Sequence, residues 1–143
     1  MPRKARKRKR RVVIDTSVLV AGVSGFKETY VRGRNPSADV LHHWAEEQTF
    51  VWLFSEDVLV EYKEVLRRLR VRSHLIGTIV NLIRERAEEI QVRYAVEISP
   101  DLGDDPFCLC AELGTADFIL TLNPRGFPQD RLKSTVVLPG RFH

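Results

Sequence analysis

Cysteine is nearly missing: the chain has two, Cys108 and Cys110. They stand too close together to bridge comfortably and are too few for a disulfide framework. Both are expected as reduced, small apolar core groups in a cytoplasmic setting. Long apolar runs are missing too, and no stretch approaches the roughly eighteen residues of a membrane span. The basic N-terminus leads into apolar residues that Asp15 interrupts after Val12, Val13 and Ile14, which argues against a signal peptide. Histidine is scarce. His42 and His43 are adjacent, so on a helix they face different sides and do not suit one metal.

Acid is absent from the start of the chain. Arg3, Lys4, Arg6, Lys7, Arg8, Lys9, Arg10 and Arg11 supply eight of the 23 basic residues. Without them 15 basic residues face 19 acidic ones, so the net charge of +4 belongs to this run and the body carries −4. Residues 1–11 are expected as a disordered basic arm that is solvated unless it meets a polyanion, and 12–143 as one domain. The polyanion is nucleic acid; a localisation signal or a solubility tail explains the same composition.

What is present begins with Arg11 to Gly22, RVVIDTSVLVAG. Val12, Val13 and Ile14 are β-branched, the composition of a strand buried on both faces. The run ends on the carboxylate of Asp15, and Thr16 and Ser17 follow at a helix start. Asp15 either caps that helix or brings charge to the carboxyl end of a sheet, where open α/β sheets bind ligands. The helix is expected over 16–23, followed by a polar loop over 24–36. In that loop Lys27, Arg32 and Arg34 alternate with Phe26 and Tyr30, which suits single-stranded nucleic acid or an ordinary surface loop.

Asn35-Pro36 opens a second helix, and Phe50–Phe54 is a second buried strand. Ser55 caps a long helix whose apolar stripe is Val58, Leu59, Tyr62, Val65, Leu66 and Leu69. Glu64 points away from that stripe, and Glu61 flanks it, able to lean toward Asp15. Leu75 to Ile90 keep helical spacing, and Val92, Tyr94 and Val96 alternate as a strand. The loop 98–106, ISPDLGDDP, holds Asp101, Asp104 and Asp105. Pro106 makes Asp105 the natural cap, which leaves Asp104 as a surplus carboxylate. Further strands are expected at 118–120, leading to Thr121 and Asn123, and at 136–138. Strands and helices alternate without hairpin signals, the pattern of parallel βαβ units.

Asp15, Glu61, Asp104 and the Thr121/Asn123 turn thus fall at strand ends or helix starts of one βα series. Crowded carboxylates repel one another, and a divalent cation relieves them; oxygen ligands select Mg²⁺ or Mn²⁺. The stretches 12–22, 55–68 and 104–128 together resemble the PIN-domain family, in order and spacing. The resemblance implies a three-layer α/β/α sandwich with a central parallel sheet and an acidic pocket that cuts single-stranded RNA. By position, Asp15, Glu61 and Asp104 match the family's acidic residues, and Thr121 matches the hydroxyl residue near the last acid. Thr16, Ser17 and Asp105 support them.

Asn123 departs from the family's pattern, in which many members carry Asp. It offers one neutral carbonyl oxygen, so a second metal would be held weakly. The chain also resembles the ribonuclease toxins of toxin–antitoxin pairs (VapC-like). The partners this allows are RNA, an antitoxin protein and a second copy of the chain, in the cytoplasm and without a membrane. Two functions compete: a metal-dependent endoribonuclease, and a non-catalytic RNA-binding module that kept the fold. An aspartyl-phosphate phosphohydrolase would need Asp at position 17, where Ser17 stands. A phospho-receiver would need a lysine after its late strand, and none is well placed.

Overall fold

Val12, Val13 and Ile14 are completely buried, as a strand covered on both faces must be. In the computed structural model, which describes residues 8–92 and 105–142, they lie in β1 (Arg11–Ile14). Around it are β2 (Val51–Phe54), β3 (Glu88–Glu89), β4 (Phe118–Leu120) and β5 (Thr135–Val137), in the order β3-β2-β1-β4-β5. All four pairings are parallel. The helices are α1 (Thr16–Ala21), α2 (Pro36–Glu47), α3 (Glu56–Arg68), α4 (Ser73–Arg86) and α5 (Pro106–Leu113). The expected α/β architecture with a central parallel sheet is the one found. Among the described residues no helix is long and apolar enough to cross a membrane.

The helices cover the sheet from both sides because neighbouring residues of β2 point to opposite faces. Trp52 meets Trp44 of α2 edge-on at 4.7 Å between ring centroids, and Tyr62 of α3 at 6.1 Å. Leu53 turns the other way, beneath the end of α5. A Cβ on Gly114 would stand 2.9 Å from Leu53 Cδ1 and 2.8 Å from Cys110 O, so only glycine lets this helix end sit so low. Both cysteines are free and buried in α5, as expected of small apolar groups.

Three caps read from sequence are present. Asn35 accepts from Ala38 N, Ser55 from Val58 N, and Asp105 from both Phe107 N and Cys108 N. Differences arise where tertiary contacts override local pattern. Helical spacing continues to Ile90, yet α4 ends at Arg86 and Ala87 is extended. The chain there is drawn into the sheet: Glu88 pairs with β2, and Ile90 N donates to Phe54 O at 2.7 Å. The strand expected at 92–96 falls almost wholly outside the described residues. The first helix stops at Ala21, short of the expected 23, and Val23–Phe26 forms a 3-10 turn that runs from the end of the expected helix into the expected loop. At the free edge of β5, Gln129 substitutes for a sixth strand. Its Oε1 accepts from Val136 N at 2.6 Å and its Nε2 donates to Ser134 O at 2.8 Å.

The basic arm is shorter than its composition suggests. Arg11 belongs to β1, and its guanidinium runs across the sheet to join three elements. It donates from Nε to Gly114 O at 3.0 Å and through both terminal nitrogens to the Glu88 carboxylate, one at 3.1 Å. Arg8 donates to Asp117 Oδ1 at 2.9 Å, and Arg10 lies 4.0 Å from the centroid of the Phe142 ring. Arg3, Lys4, Arg6 and Lys7 lie outside the described residues.

The Arg11 bond holds the Glu88 carboxyl below its ordinary value of 4.5. A carboxylate lowered in this way adds stability above its unfolded pKa and loses it as pH falls through the folded one. Glu88 is half exposed, so the contribution is about 1 kcal/mol or less after solvent screening. Thermal melts should therefore show Glu88→Gln below wild type at pH 7, with the gap closing under acid conditions. Arg11→Met, which also abandons Gly114 O, should cost more, about 1–2 kcal/mol, at pH 7. A gap that widens on acidification would contradict the pairing.

Candidate functional site

Parallel pairing puts the carboxyl ends of β1 and β4 side by side. The chain moves from β1 outward to β2 and β3, then returns to β4 on the other flank of β1. The strand order thus reverses between β1 and β4, a switch point where helices leave in opposite senses and a crevice opens. Asp15 ends β1 and Thr121 ends β4, so two residues 106 apart in sequence become neighbours.

Asp15 occupies the residue before α1, with extended backbone, but its side chain makes no capping hydrogen bond. The carboxylate turns to the switch point instead. Its Oδ2 accepts from Ser17 Oγ at 2.6 Å and from Thr121 Oγ1 at 2.8 Å. Each hydroxyl has one proton, spent on Asp15, and lone pairs that are free to accept. Ser17 Oγ accepts from Leu122 N at 3.1 Å, and Thr121 Oγ1 from Asn123 N at 3.0 Å. A closed circuit results, running from the carboxylate through two hydroxyls to two amides of the turn after β4. Thr121 is wholly buried, which keeps water from competing. Asp15 Oδ1 has no protein partner among the described residues.

Tyr62 fixes where α3 meets this end of the sheet. Its hydroxyl donates to Ile14 O, directly before Asp15, and accepts from Trp52 Nε1 at 3.3 Å. Burial raises the phenol well above its ordinary pKa, so it remains a donor. Glu61 stands one residue earlier and is half-buried, whereas Glu64 is exposed. By sequence Tyr62 stands out only as a member of an apolar stripe. The signal was there: a buried tyrosine hydroxyl needs a partner, and the nearest functional residue precedes it.

α5 starts near the same end. The Phe107 ring lies 5.9 Å from that of Tyr62. Burial pushes the Cys108 thiol up to about 12, with Asp105, Glu112 and Asp15 adding their charge. Asp105 and Asp15 therefore act on one buried thiol. Asp105 is the cap expected of it. Asp104, the surplus carboxylate before it, lies outside the described residues, as does Asp101.

Asn123 is exposed and makes no side-chain cap for the 3-10 turn Pro124–Gly126. Its amide folds over Gly126 instead, where a Cβ would stand 2.8 Å from Nδ2. Thr16 Oγ1 is buried without a hydrogen-bond partner among the described residues. Among the described residues no three His, Cys, Asp or Glu side chains converge as a metal cluster. What gathers around Asp15 is hydroxyls, and the crowd of acids expected there depends on Asp104. The donors present are oxygens, with one carboxylate oxygen at the switch point unpartnered among the described residues, which fits a hard cation such as Mg²⁺ or Mn²⁺.

The aromatic residues of the loop after α1 are partly engaged within the protein. Tyr30 stacks on His42 at 4.0 Å and donates to Asp39, and Phe26 packs against the core. The loop is structural on its aromatic side.

A carboxylate locked at the switch point of a doubly wound parallel sheet defines an α/β protein with an acidic strand-end site. The family model described as PIN domain matches residues 11–125, and the chain belongs to the PIN-domain family, whose members are in general nucleases. No curated protein sequence matches the chain.

The circuit makes a prediction of its own. Thr121→Val keeps shape but removes one donor to Asp15 and the acceptor for Asn123 N. It should cost about 1–3 kcal/mol, while Thr121→Ser should recover most of this. Chemical denaturation of both variants checks it; equal losses would mean that the methyl group, and not the hydroxyl, holds the turn.

Proposed function

We propose that the chain is a divalent-metal-dependent endoribonuclease that hydrolyses single-stranded RNA. The observation that carries this is Asp15, held by Ser17 and Thr121 at the switch point with its second oxygen unpartnered among the described residues. Asp15, Glu61 and Asp104 would hold Mg²⁺ or Mn²⁺, with Asn123 offering a neutral carbonyl oxygen. Such an ion supplies charge neutralisation and a lowered pKa for water, which phosphodiester hydrolysis at neutral pH needs. Water attacks phosphorus in line, the bond to the 3′ oxygen breaks, and that oxygen takes a proton. The products carry 5′-phosphate and 3′-hydroxyl ends.

The chain's own residues prepare the reaction. Ser17 and Thr121 stop Asp15 from rotating, so no reorganisation is needed when substrate arrives. Tyr62 sets the position of α3 and hence of Glu61. Basic residues of the N-terminal run attract the phosphate backbone. The toxin half of a toxin–antitoxin pair, acting in the cytoplasm, is the role that the small domain and its resemblance favour.

A second reading, a non-catalytic RNA-binding module, is favoured by Asn123, which leaves the site one negative charge short of many relatives. Incubation of single-stranded RNA with and without Mn²⁺, beside Asp15→Asn, separates the two. The enzyme reading expects metal-dependent cleavage that falls at least about 10²-fold in Asp15→Asn, about 2.7 kcal/mol of barrier. Undiminished cleavage in that variant would sink it.

Asn123 supplies an independent measurement. Asn123→Asp adds a negative ligand and should tighten Mn²⁺ binding in a calorimetric titration, with cleavage retained or raised. If only the variant binds Mn²⁺, the natural chain is a module that has lost its chemistry. An unchanged affinity would mean that Asn123 serves only the turn over Gly126.

A further inference from the structure

The opposite edge of the sheet carries a second charged surface. At the amino ends of the strands two clefts of about 600 and 510 Å³ open side by side, and Arg10 lines both. The first also holds Arg8, Lys133, Glu112 and Asp117; the second holds Arg32, His43 and Asp39. The acids are engaged by the protein itself. Asp117 accepts from Arg8 and from Arg11 N, Glu112 accepts from Lys133 N, and Asp39 accepts from Tyr30 and from Gly33 N. The side chains of Arg10, Arg32 and Lys133 take part in none of these bonds. Among the described residues neither Arg10 nor Lys133 forms an ion pair. The Arg10 guanidinium lies 4.0 Å from the Phe142 ring centroid and 5.6 Å from that of Phe118. Stacking fixes the plane of a guanidinium while leaving its N–H edge for other acceptors, the form in which arginine binds phosphate.

We propose that these amino-edge clefts, centred on Arg10 and Lys133, bind the sugar–phosphate backbone of single-stranded RNA at a second site, remote from Asp15. The proposal rests on the ribonuclease reading for the identity of its polyanion. Arg10 and Asp15 are five residues apart in sequence along β1, roughly 16 Å at 3.3 Å per residue, so one RNA strand must pass around the flank to engage both edges. The Phe142 face is covered by Arg10, so bases have no platform there, and the site takes RNA without sequence preference. An acidic protein segment is the competing occupant, and it lacks the regularly spaced charges that two adjoining clefts around one fixed arginine suit.

The test measures binding of a labelled single-stranded RNA of about 20 nucleotides to the full chain in EDTA, across a salt series. Removing one phosphate-binding cation should lower the slope of log K against log salt by about 0.7. Arg10→Gln with Lys133→Gln should weaken binding at least about fivefold and lower the slope by about 1.4. Arg67→Gln with Arg68→Gln, the same charge change on exposed α3 positions, should leave the slope nearly unchanged. Lys133→Gln alone, a fall of about 0.7, serves if Arg10→Gln melts early. Equal effects from both pairs would reduce the result to net charge and overturn the proposal. So would polyglutamate binding that depends on Arg10 and Lys133 while RNA binding does not. Because EDTA removes cleavage from the measurement, a chain that shows the slope change yet never cuts RNA refutes only the enzyme reading. One that cuts RNA with an unchanged slope refutes only this site.

Discussion

The bond from Thr121 to Asp15 is the interaction on which the site depends. It joins the ends of the two strands between which the order of the sheet reverses, and it does so at a buried hydroxyl that water cannot replace. Without it Asp15 would be one more acid before a short helix, free to cap α1. With it, the carboxylate is withdrawn from capping and the turn after β4 is tied down through Leu122 N and Asn123 N. Ser17 closes the circuit from the other side. One carboxylate oxygen takes both hydroxyl bonds, and the other has no hydrogen-bond partner among the described residues. The two hydroxyls thereby fix the orientation of the carboxylate before it meets anything else.

The two edges of the sheet divide the electrostatic labour. The carboxyl edge collects acids because strand ends there lead into helix starts, where carboxylates satisfy unbonded amides, as Asp105 does for α5. The amino edge holds Arg8 and Arg10, because the basic run enters the fold at Arg11, beside acids that the protein itself engages. The length of β1 keeps these two sets of charges from pairing with one another.

Arg11 shows how a charge run can mislead. In sequence it is the last of eight basic residues without an acid among them, and the whole run carries the signature of a solvated arm. In the fold it is a cross-brace beneath α5, bonded to Gly114 O and to Glu88 at the edge strand. Fork geometry allows this, since Nε and the terminal nitrogens can serve two partners at once. Arg10 is a milder version, held by ring faces. The run is therefore divided by the domain itself, with its inner members structural or semi-structural.

Much of the fold was legible because strand and helix signals are local. The β-branched run before Asp15, the apolar run of β2, the caps Asn35, Ser55 and Asp105, and βα alternation all act within a few residues of themselves. Those signals alone determined a parallel α/β domain with carboxylates at the ends of its elements, and they singled out Asp15. Local pattern failed at Ala87 to Ile90, where helical spacing persisted while pairing with β2 won. The tertiary structure alone decided who meets whom: Thr121 with Asp15 across 106 residues, Glu88 with Arg11 across 77, Tyr62 with Ile14 across 48. No periodicity encodes such a meeting. A side chain's type states that it needs a partner, but which partner depends on which strands become neighbours, and that is settled only when the whole core packs.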